Sequence, residues 1–365
     1  MSGDCTTYFQ EQLRDAVRDS TSVYLRGGGS KLSLFGRVCE APFLDTTAHN
    51  GVIKYEPEEL VVTARSGTRI AELQEVVAEH GQILPFEAAS FSDSATLGGS
   101  LACGLSGPAR PWKGSIRDAV LGVRLIDGHG DLLRFGGEVV KNVAGYDVSR
   151  LQAGALGTLG LITEVSFRVL PKAKTHLHLI SACPVEDAIM RLRELARRPW
   201  PLTGLAWCDS VLHLRLHSDH KTCRDIQRSL VGFEAPAADL KEPAEGLPAP
   251  LSGFWDYLRE YAFLAEGELA SCIDLAPATP LSQPESLILI DWGGARRIYG
   301  DDLSWEEAQA IARDGKGHAT RLGCGLQDLE CAAMPAEALR NLQKRIKLAV
   351  DPHGVFNPRR LYSWL

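Results

Sequence analysis

Glycine is concentrated in the first half of the chain, where it follows short apolar and β-branched runs. Of the 35 glycines in 365 residues, 22 lie within the first 172. Glycine costs stability inside a helix or strand, and its missing Cβ permits tight turns and close approach of the main chain to another group. This half of the chain is therefore predicted to consist of short elements joined by loops whose backbone lies against something else.

Hydrophobic periodicity predicts a mixed α/β (α+β) fold. In the first half, 23–26 has the pattern of a strand, 60–80 that of a strand followed by a helix, and 119–135 that of a β-hairpin. In the second half, the alternating segment 212–216 and the apolar run 287–292 predict two further strands. A proline-rich segment, 234–253, separates them and is predicted to be a surface loop.

The last predicted helix spans 335–350. Pro335 suits its first turn, and Asp351-Pro352 ends it. One face carries its apolar residues: Leu339, Leu342, Ile346, Ala349 and Val350.

Charge and cysteine usage exclude several classes of function. The formal net charge is −7, which gives no basic footprint for nucleic acid but leaves room for a small anionic ligand at a local site. The nine cysteines show no C-x-x-C spacing, so no metal or iron–sulfur site is expected. Their odd number without a disulfide framework predicts reduced thiols in a cytoplasmic protein. Neither a signal peptide nor a membrane span is predicted, so any membrane link is expected to be indirect.

Four glycine-containing segments occur in a fixed order. They are RGGGS at 26–30, TLGGSLACGLSGP at 96–108, KNVAGYD at 141–147 and GALGTLG at 154–160. Taken alone, the triple glycine fits either an anion-binding loop or a tight surface turn. It is neither a Walker loop nor a Rossmann G-x-G-x-x-G. The order and spacing of all four segments are far more specific than any one of them.

On these motifs the sequence resembles the flavin-binding domain of the vanillyl-alcohol oxidase-like (PCMH-type) superfamily. It is most similar to the small FAD-binding subunits of bacterial glycolate oxidase complexes, strongly over 20–171 and also at VFNP, 355–358. The resemblance implies FAD held by backbone amides across two small subdomains. The positions that match the family's cofactor contacts are Arg26, Gly27, Gly28, Gly29 and Ser30 at the pyrophosphate; Thr96, Leu97, Gly98, Gly99 and Ser100 along the ribityl chain and ring; Asn142, Tyr146 and Asp147 close to the flavin; and Gly157, Thr158, Gly160 and Ile162 near the adenosine.

Three positions bear on how the sequence departs from the family's pattern. Many members attach FAD through a histidine in the first loop, where this chain has Ser30 and Lys31, so non-covalent FAD is expected. Cys103 lies in the second loop, where a few relatives use a cysteine link. The family tail usually has glycine at the position of Arg359, so a local change of geometry or contact is expected there.

The residues of catalysis are less evident. Oxidation of a hydroxy acid needs a base and a cation for the carboxylate, and the larger catalytic subunits of the family carry an H-x-G-D-G-N-type motif that is missing here. The best candidates are His318 and Arg321 in a glycine-flanked segment. His213 with His217 is interpreted as a pair of surface or edge residues, and Arg296-Arg297 as a solvated pair, although the arginines are also candidates to face a carboxylate.

The resemblance predicts an FAD-binding domain at 1–172, an α+β cap with an antiparallel sheet at 173–330, and a helical tail at 331–365 that returns to the first domain. It implies a subunit that oxidises a small 2-hydroxy acid such as glycolate. A larger catalytic flavoprotein subunit and an iron–sulfur subunit would be its partners, and its own substrate site would be degenerate. Two alternatives stay open: a self-sufficient FAD-dependent 2-hydroxy-acid dehydrogenase, and an assembly protein without redox chemistry.

Overall fold

The computed structural model describes residues 3–137, 146–236, 253–265 and 267–365. The chain forms two compact units. Unit 1 comprises 1–105, 115–171 and 324–365, and unit 2 comprises 106–114 and 172–323. Relative to the predicted domains, the short segment 106–114 joins the second unit because Trp112 packs against that unit's core.

Unit 1 is assembled from short elements, numbered here along the whole chain. Its helices are α1 (Thr6–Arg18), α2 (Ile70–Ala78), α3 (Leu97–Cys103), α5 (Ile116–Ala119), α6 (Val148–Leu151) and α11 (Glu337–Val350). Its strands are β1 (Tyr24–Arg26), β2 (Phe43–Asp45), β3 (Val52–Glu56), β4 (Val61–Arg65), β5 (Gln82–Ile83), β6 (Val120–Ile126), β7 (Leu132–Gly136), β8 (Leu161–Arg168) and β9 (Leu170–Pro171).

Two hydrophobic cores organise unit 1. The larger lies on one face of a five-stranded antiparallel sheet in the order β3-β4-β8-β6-β7, against α2 and α3. The register sets Val123 opposite Val165 and Val62 opposite Phe167, so apolar side chains of three strands share that face. The smaller core packs α1 near the parallel pair β1–β2 and the tail residues Val355 and Phe356. Two cores fit the predicted pair of small subdomains.

Unit 2 contains the helices α4 (Arg110–Lys113), α7 (Val185–Ala196), α8 (His220–Ser229), α9 (Phe254–Arg259) and α10 (Trp305–Asp314). Its strands are β10 (Thr175–Ala182), β11 (Leu202–Cys208), β12 (Val211–Ser218), β13 (Ala270–Asp274), β14 (Leu287–Asp291), β15 (Arg296–Tyr299) and β16 (His318–Leu322). All seven strands form one antiparallel sheet in the order β10-β12-β11-β14-β15-β13-β16. The predicted antiparallel cap sheet is confirmed.

The two faces of this sheet differ in chemistry. Leu212, Leu214 and Leu216 of β12 point to one face and pack with α7 and α8 in the core of unit 2. The alternate residues His213, Arg215 and His217 share the other face, as the two-residue period of a strand requires. At β12, one face is thus part of the apolar core, and the other carries polar side chains.

The interpretation of His213 as a surface or edge residue is wrong. His213 is 3% exposed, its ring lies 3.4 Å from that of Phe254, and its Nδ1 is 3.1 Å from His178 Nε2. The sequence could not show this because Phe254 belongs to α9, far from β12 in the sequence, and only the folded chain brings the two rings together.

The interpretation of Arg296-Arg297 as a solvated pair is also wrong. Arg296 forms a bidentate ion pair with Asp274, with both N–O distances 2.8 Å, since β13–β15 pairing sets the two residues opposite each other. Arg297 is 0% exposed and donates to the carbonyl oxygens of Thr279 and Pro280. Both guanidinium groups are therefore engaged by the chain itself.

Candidate functional site

Unit 1 contains an open cavity with about 790 Å³ of empty space, part of which is open to solvent. The whole lining comes from unit 1: Tyr24, Leu25, Arg26, Gly27, Gly28, Gly29, Ser30, Lys31, Leu32, Thr46, Ser66, Thr96, Gly98, Gly99, Ala102, Cys103, Leu156, Gly157, Gly160, Leu161, Ile162, Asn357 and Arg360. The wall thus joins the loop after β1, the start of α3, the start of β8 and the C-terminal tail.

The glycine loops of this wall pack against each other as well as facing the cavity. A Cβ on Gly28 would lie 1.6 Å from the carbonyl oxygen of Ser94, and one on Gly27 would lie 2.4 Å from Thr96 Oγ1. A Cβ on Gly98 would lie 2.7 Å from Ser66 Cβ. These glycines are therefore required by the chain's own packing as well as by any ligand, and the sequence alone does not reveal that second reason.

The cavity is cationic although the chain is acidic. Arg26, Lys31 and Arg360 line it, and none of the described lining residues is an aspartate or glutamate. Lys31 is 6% exposed and donates to Ser30 Oγ at 3.2 Å. Arg360, equally buried, donates to the carbonyl oxygens of Phe35 and Arg37. Three buried or half-buried cations without a carboxylate in the wall predict an anionic occupant.

A buried hydroxyl in the wall also lacks a partner. Ser66 is 2% exposed, and its Oγ makes no hydrogen bond within the described chain. In the second glycine loop, Ser100 Oγ of α3 is likewise buried and without a partner, whereas Thr96 Oγ1 accepts from Gly99 N. Native proteins satisfy most buried polar atoms, so the Ser66 hydroxyl facing a cavity indicates a polar group that belongs there.

The C-terminal tail holds two parts of the wall together. Asn357 Oδ1 accepts from Leu25 N, and its Nδ2 donates to the Leu156 oxygen, each at 2.6 Å. Lys347 of α11 donates to Thr158 O at 2.7 Å and to Asp351 Oδ2 at 2.6 Å. The tail therefore fixes the distance between β1 and the loop before β8.

Eleven of the predicted cofactor residues line the cavity. They are Arg26, Gly27, Gly28, Gly29, Ser30, Thr96, Gly98, Gly99, Gly157, Gly160 and Ile162. Leu97 is a core residue and Thr158 bonds to its own turn through Ala155 O, so neither side chain faces the cavity.

The third motif is the least defined. Asn142 lies outside the described residues. Tyr146 is 93% exposed, and Asp147 caps α6 by accepting from Arg150 N. Neither Tyr146 nor Asp147 is among the lining residues, and a flavin contact for this segment stays a prediction.

The site includes residues that motif matching did not select. Tyr24, Thr46, Ser66, Asn357 and Arg360 supply polar groups to the wall. Ser66 and Thr46 follow strands β4 and β2, but a single polar residue after a strand carries no specific signal. Asn357 belongs to the VFNP segment, whose only signal in the sequence is its match to the family.

Cys103 lines the cavity and keeps its proton. Burial raises the pKa of its thiol, against the opposing effect of Lys31 and Arg360. A protonated thiol is a poor nucleophile, so the chemistry of this residue favours non-covalent attachment of a cofactor. No histidine is found among the described residues that line the cavity, which supports the same expectation.

The two predicted catalytic residues lie in unit 2. His318 opens β16 opposite Asp274, and Arg321 stacks its guanidinium over Trp305 at 4.5 Å. Three positions apart on one strand, their side chains point to opposite faces of the sheet. Their catalytic roles stay a prediction, but the strand does not direct them to a common point.

Comparison with known proteins fits this geometry. A family model described as FAD binding domain matches residues 6–136. Over 358 residues, 97% of its length, the chain is 40% identical to the glycolate oxidase subunit GlcE of Escherichia coli K12, of which it covers 97%. The chain belongs to the GlcE family. The predicted cofactor FAD and the predicted class, a flavoprotein oxidoreductase, are thereby confirmed.

More distant relatives place the GlcE family among related flavoproteins. The chain is 32% identical to the glycolate oxidase subunit GlcD of Bacillus subtilis over 163 residues, 44% of this chain and 34% of that one. Among solved structures, an alkyldihydroxyacetonephosphate synthase superposes with a TM-score of 0.63 at 15% identity, covering 96% of this chain and 75% of that one. That likeness shows the fold, and it confirms the PCMH-type architecture.

The wall of the cavity suits FAD on physical grounds. The dinucleotide carries an anionic pyrophosphate, for which Arg26, Lys31 and Arg360 are counter-charges, and glycine loops leave backbone N–H groups accessible. Ser66 offers a hydroxyl that needs a partner. No group of three or more metal-binding side chains occurs in the described residues, and no helix among them is long and apolar enough to cross a membrane.

Proposed function

We propose that this chain is the FAD-binding subunit of a cytoplasmic complex that oxidises glycolate to glyoxylate. Its partners would be a larger catalytic flavoprotein subunit and an iron–sulfur subunit, and any membrane association would come through them. The single observation that carries the proposal is the cationic, glycine-walled cavity of unit 1 in a GlcE-family chain. The named activities of the relatives supply the substrate class.

The chain's own residues would hold the cofactor in a defined place. Arg26, Lys31 and Arg360 would neutralise the pyrophosphate, and the Gly27–Gly29 loop would bring main-chain N–H groups to it. Ser66 would donate its free hydroxyl to a polar atom of the cofactor. Asn357 would position the cavity wall rather than contact the cofactor, since both ends of its amide are hydrogen-bonded to the main chain at Leu25 and Leu156.

Oxidation of glycolate removes two electrons and two protons, one from the hydroxyl and one with the electron pair from carbon. Bound FAD supplies an acceptor for that electron pair. A base and a carboxylate-binding cation are needed beside it. In this chain His318 and Arg321 point to opposite faces of β16, and Arg296 is already paired with Asp274. This distribution supports a role in carrying electrons, with the substrate oxidised on the partner flavoprotein.

The test compares the isolated chain with the chain co-expressed with its partner subunits. Both preparations are expected to bind flavin, seen as the visible absorbance of oxidised flavin. Only the complex is expected to reduce a dye with glycolate, and glycolate is expected to leave the flavin of the isolated chain oxidised. Rapid bleaching of that flavin by glycolate would instead establish the self-sufficient dehydrogenase, and an isolated chain without any flavin would favour an assembly role.

Two substitutions in the complex separate the roles further. His318→Ala and Arg321→Ala are each expected to leave the glycolate-dependent rate unchanged, with flavin content as the control for folding. A general base or carboxylate anchor would lose about a hundredfold or more on the same substitution. Such a loss would assign catalysis to this chain and contradict the electron-carrying role.

A further inference from the structure

Helix α11 is oriented with polar residues toward its own chain. Lys347 reaches inward to Thr158 and Asp351. The Nε of Arg340 and the Oε1 of Gln343, on the same side of the helix, are both buried and have no hydrogen-bond partner within the described chain. Ile346 and Val350 are half-buried on that side as well, so the inward side is only partly apolar and its packing gains little from the hydrophobic effect.

The rest of the helix's apolar face is turned outward. None of the 14 residues of α11 is buried, and Leu339 and Leu342 are each 47% exposed. Ala338, one turn before Leu342, and Ala349, two turns after it, are exposed too. We call Ala338, Leu339, Leu342 and Ala349 the outer stripe.

Other long helices of the molecule behave in the ordinary way. Helix α1 buries Phe9 and Leu13, each 1% exposed, and α7 buries Leu192 completely. The outer stripe of α11 is therefore not a general property of the fold. An apolar stripe with alanines at its ends is a surface on which another helix can approach closely.

The charges beside the stripe indicate the kind of surface it fits. Arg345 is exposed beside the outer stripe, three residues after Leu342, whereas Lys344 lies on the far side of the helix with its Nζ over the ring of Trp364. Glu337 is the helix's single acidic residue. A second copy of this chain would set one basic helix against another. An anionic membrane would have to attract a chain of net charge −7. A protein surface with an apolar groove and a carboxylate at its rim satisfies both the leucines and Arg345.

We propose that the outer stripe of α11 is the docking surface for a partner subunit of the same complex, which would cover Leu339 and Leu342 with apolar side chains and face Arg345 with a carboxylate. The proposal rests on the proposed function, in that it takes the chain to be a subunit. Flavin binding by the isolated chain tests that function separately, because the stripe contains no residue of the cavity wall.

The experiment is affinity purification of the tagged chain co-expressed with its partner flavoprotein and iron–sulfur subunits. Leu342→Arg is expected to lower the recovery of partner subunits by about tenfold or more, as for a central interface residue. Leu348→Arg is the matched control. Leu348 is 64% exposed on the same helix, and it lies six residues beyond Leu342, so its side chain points about 120° away from that of Leu342. It is expected to leave recovery unchanged.

Folding is checked in the same samples by flavin content and by the thermal midpoint of the isolated chain, both of which should match the unsubstituted chain. If Leu342→Arg impairs folding, Ala338→Trp, at an exposed position of the stripe, provides a steric block without a new charge. Full recovery of partners with folded Leu342→Arg or Ala338→Trp protein overturns the proposal, and so does equal loss with Leu348→Arg.

The other two occupants have their own readouts. A dimer of the isolated chain that Leu342→Arg converts to monomer would identify a second copy on the stripe. Flotation of the isolated chain with phosphatidylserine-containing vesicles, abolished by Leu342→Arg, would identify a membrane surface. Either result would replace the partner subunit as the occupant and contradict the proposal.

Discussion

Arg360 of unit 1 and Arg296 of unit 2 are both largely withdrawn from solvent, but they differ in the charges that lie beside them. Arg296 is held by Asp274 through two hydrogen bonds and stacks on Trp292 at 3.5 Å. Burial alone would lower the pKa of Arg296, yet the Asp274 carboxylate holds that pKa well above its usual value. Arg360, in contrast, lines a cavity whose described wall contains no carboxylate.

The difference separates two uses of a buried cation. In unit 2 the opposite charge comes from the same chain, so Arg296 contributes to the stability of the sheet and has little left for a ligand. In unit 1 the described wall places no carboxylate beside Arg26 or Arg360, so an anionic ligand would supply the opposite charge. A buried arginine indicates a binding site for an anion only where the chain places no carboxylate beside it.

The strongest test of the cavity wall is Gly28→Ala. Because the new Cβ would lie 1.6 Å from Ser94 O, the loop must move away from its neighbour. We expect FAD affinity to fall by about a hundredfold or more, the equivalent of about 3 kcal/mol. Titration of the apoprotein with FAD, followed by fluorescence, measures the loss.

The control is Gly81→Ala, at another glycine of unit 1. Gly81 has a φ of +64°, and a Cβ added there would have no atom within 4 Å, so alanine meets strain but no clash. A stability loss of about 1 kcal/mol with unchanged FAD affinity is expected. Equal effects of the two substitutions on FAD affinity would mean that the packing of Gly28 is irrelevant to the site.

Arg26→Met tests the cationic wall and is expected to have a smaller effect on FAD affinity than Gly28→Ala. Within the described chain the Arg26 guanidinium forms no ion pair, and it lies over the ring of Phe43 at 5.2 Å. We expect FAD affinity to fall by about 10- to 100-fold, the range for a charged hydrogen bond, with the thermal midpoint nearly unchanged. FAD affinity of the unsubstituted chain should also weaken with added salt.

Asp274→Asn is the counterpart in unit 2. Removing this carboxylate leaves Arg296 without its partner, and we expect a stability loss of about 2 kcal/mol, moderated by the partial exposure of Asp274. FAD affinity of unit 1 should stay the same. If Arg26→Met lowers the free energy of unfolding and Asp274→Asn lowers FAD affinity, the proposed difference between the two units is wrong.

A smaller effect is expected from pH. Burial, reinforced by Arg215, lowers the pKa of His178 to about 4, and burial, reinforced by Lys113, Arg215 and His176, lowers that of His217 to about 2. The unfolded chain binds a proton at each near pH 6.5. As the pH falls below 6.5, the unfolded chain binds protons at these two histidines, whereas the folded chain does not, so the free energy of unfolding decreases.

After allowance for the partial exposure of both imidazoles, the loss at pH 5 relative to pH 7.5 is about 1 kcal/mol for each. Denaturant unfolding at the two pH values measures it. Replacing both histidines, as in His178→Gln with His217→Gln, should reduce the slope, since glutamine does not titrate. An unchanged slope in that double variant would show that other groups set the acid sensitivity of the chain.

The smallest effect is expected at the departure from the family tail. Arg359 has a φ of +61°, a left-handed backbone that glycine would adopt without strain. Arg359→Gly should therefore raise the free energy of unfolding by about 0.5–1 kcal/mol. Gly354→Ala, at a φ of +64° and with no atom nearby, should change it by a similar amount in the opposite direction. Denaturant unfolding of both variants decides the matter.

Local patterns were enough to predict the parts of the site that lie in continuous loops. The Gly27–Gly29 turn, the start of α3 and the segment 157–162 each carry their signal within a few residues, and all of them reach the cavity. Ser66, Asn357 and Arg360 could not be selected in this way, because their place in the wall depends on which strands and tail segments meet. Pairing between distant segments leaves no local trace in a single sequence.

The same distinction holds for packing. Periodicity identified an apolar face on 335–350, and α11 carries one, but the pattern does not say which side of a helix its own chain covers. Likewise, the adjacent arginines 296 and 297 look solvated until β13 is known to lie beside β15. A sequence readily predicts that a helix has an apolar face or that a residue is charged. It does not predict what that face or that charge contacts in the folded chain.

The bridge formed by Asn357 also bears on biosynthesis. The cavity wall contains residues from Tyr24 to Leu32 and also Asn357 and Arg360, which are synthesised more than 300 positions later. On the ribosome, the glycine loops emerge early, but the wall can close only after position 360 has been translated. The wall is therefore complete only after translation, and a frameshift between Ile162 and Val355 would yield chains that keep every glycine motif and lack a complete wall.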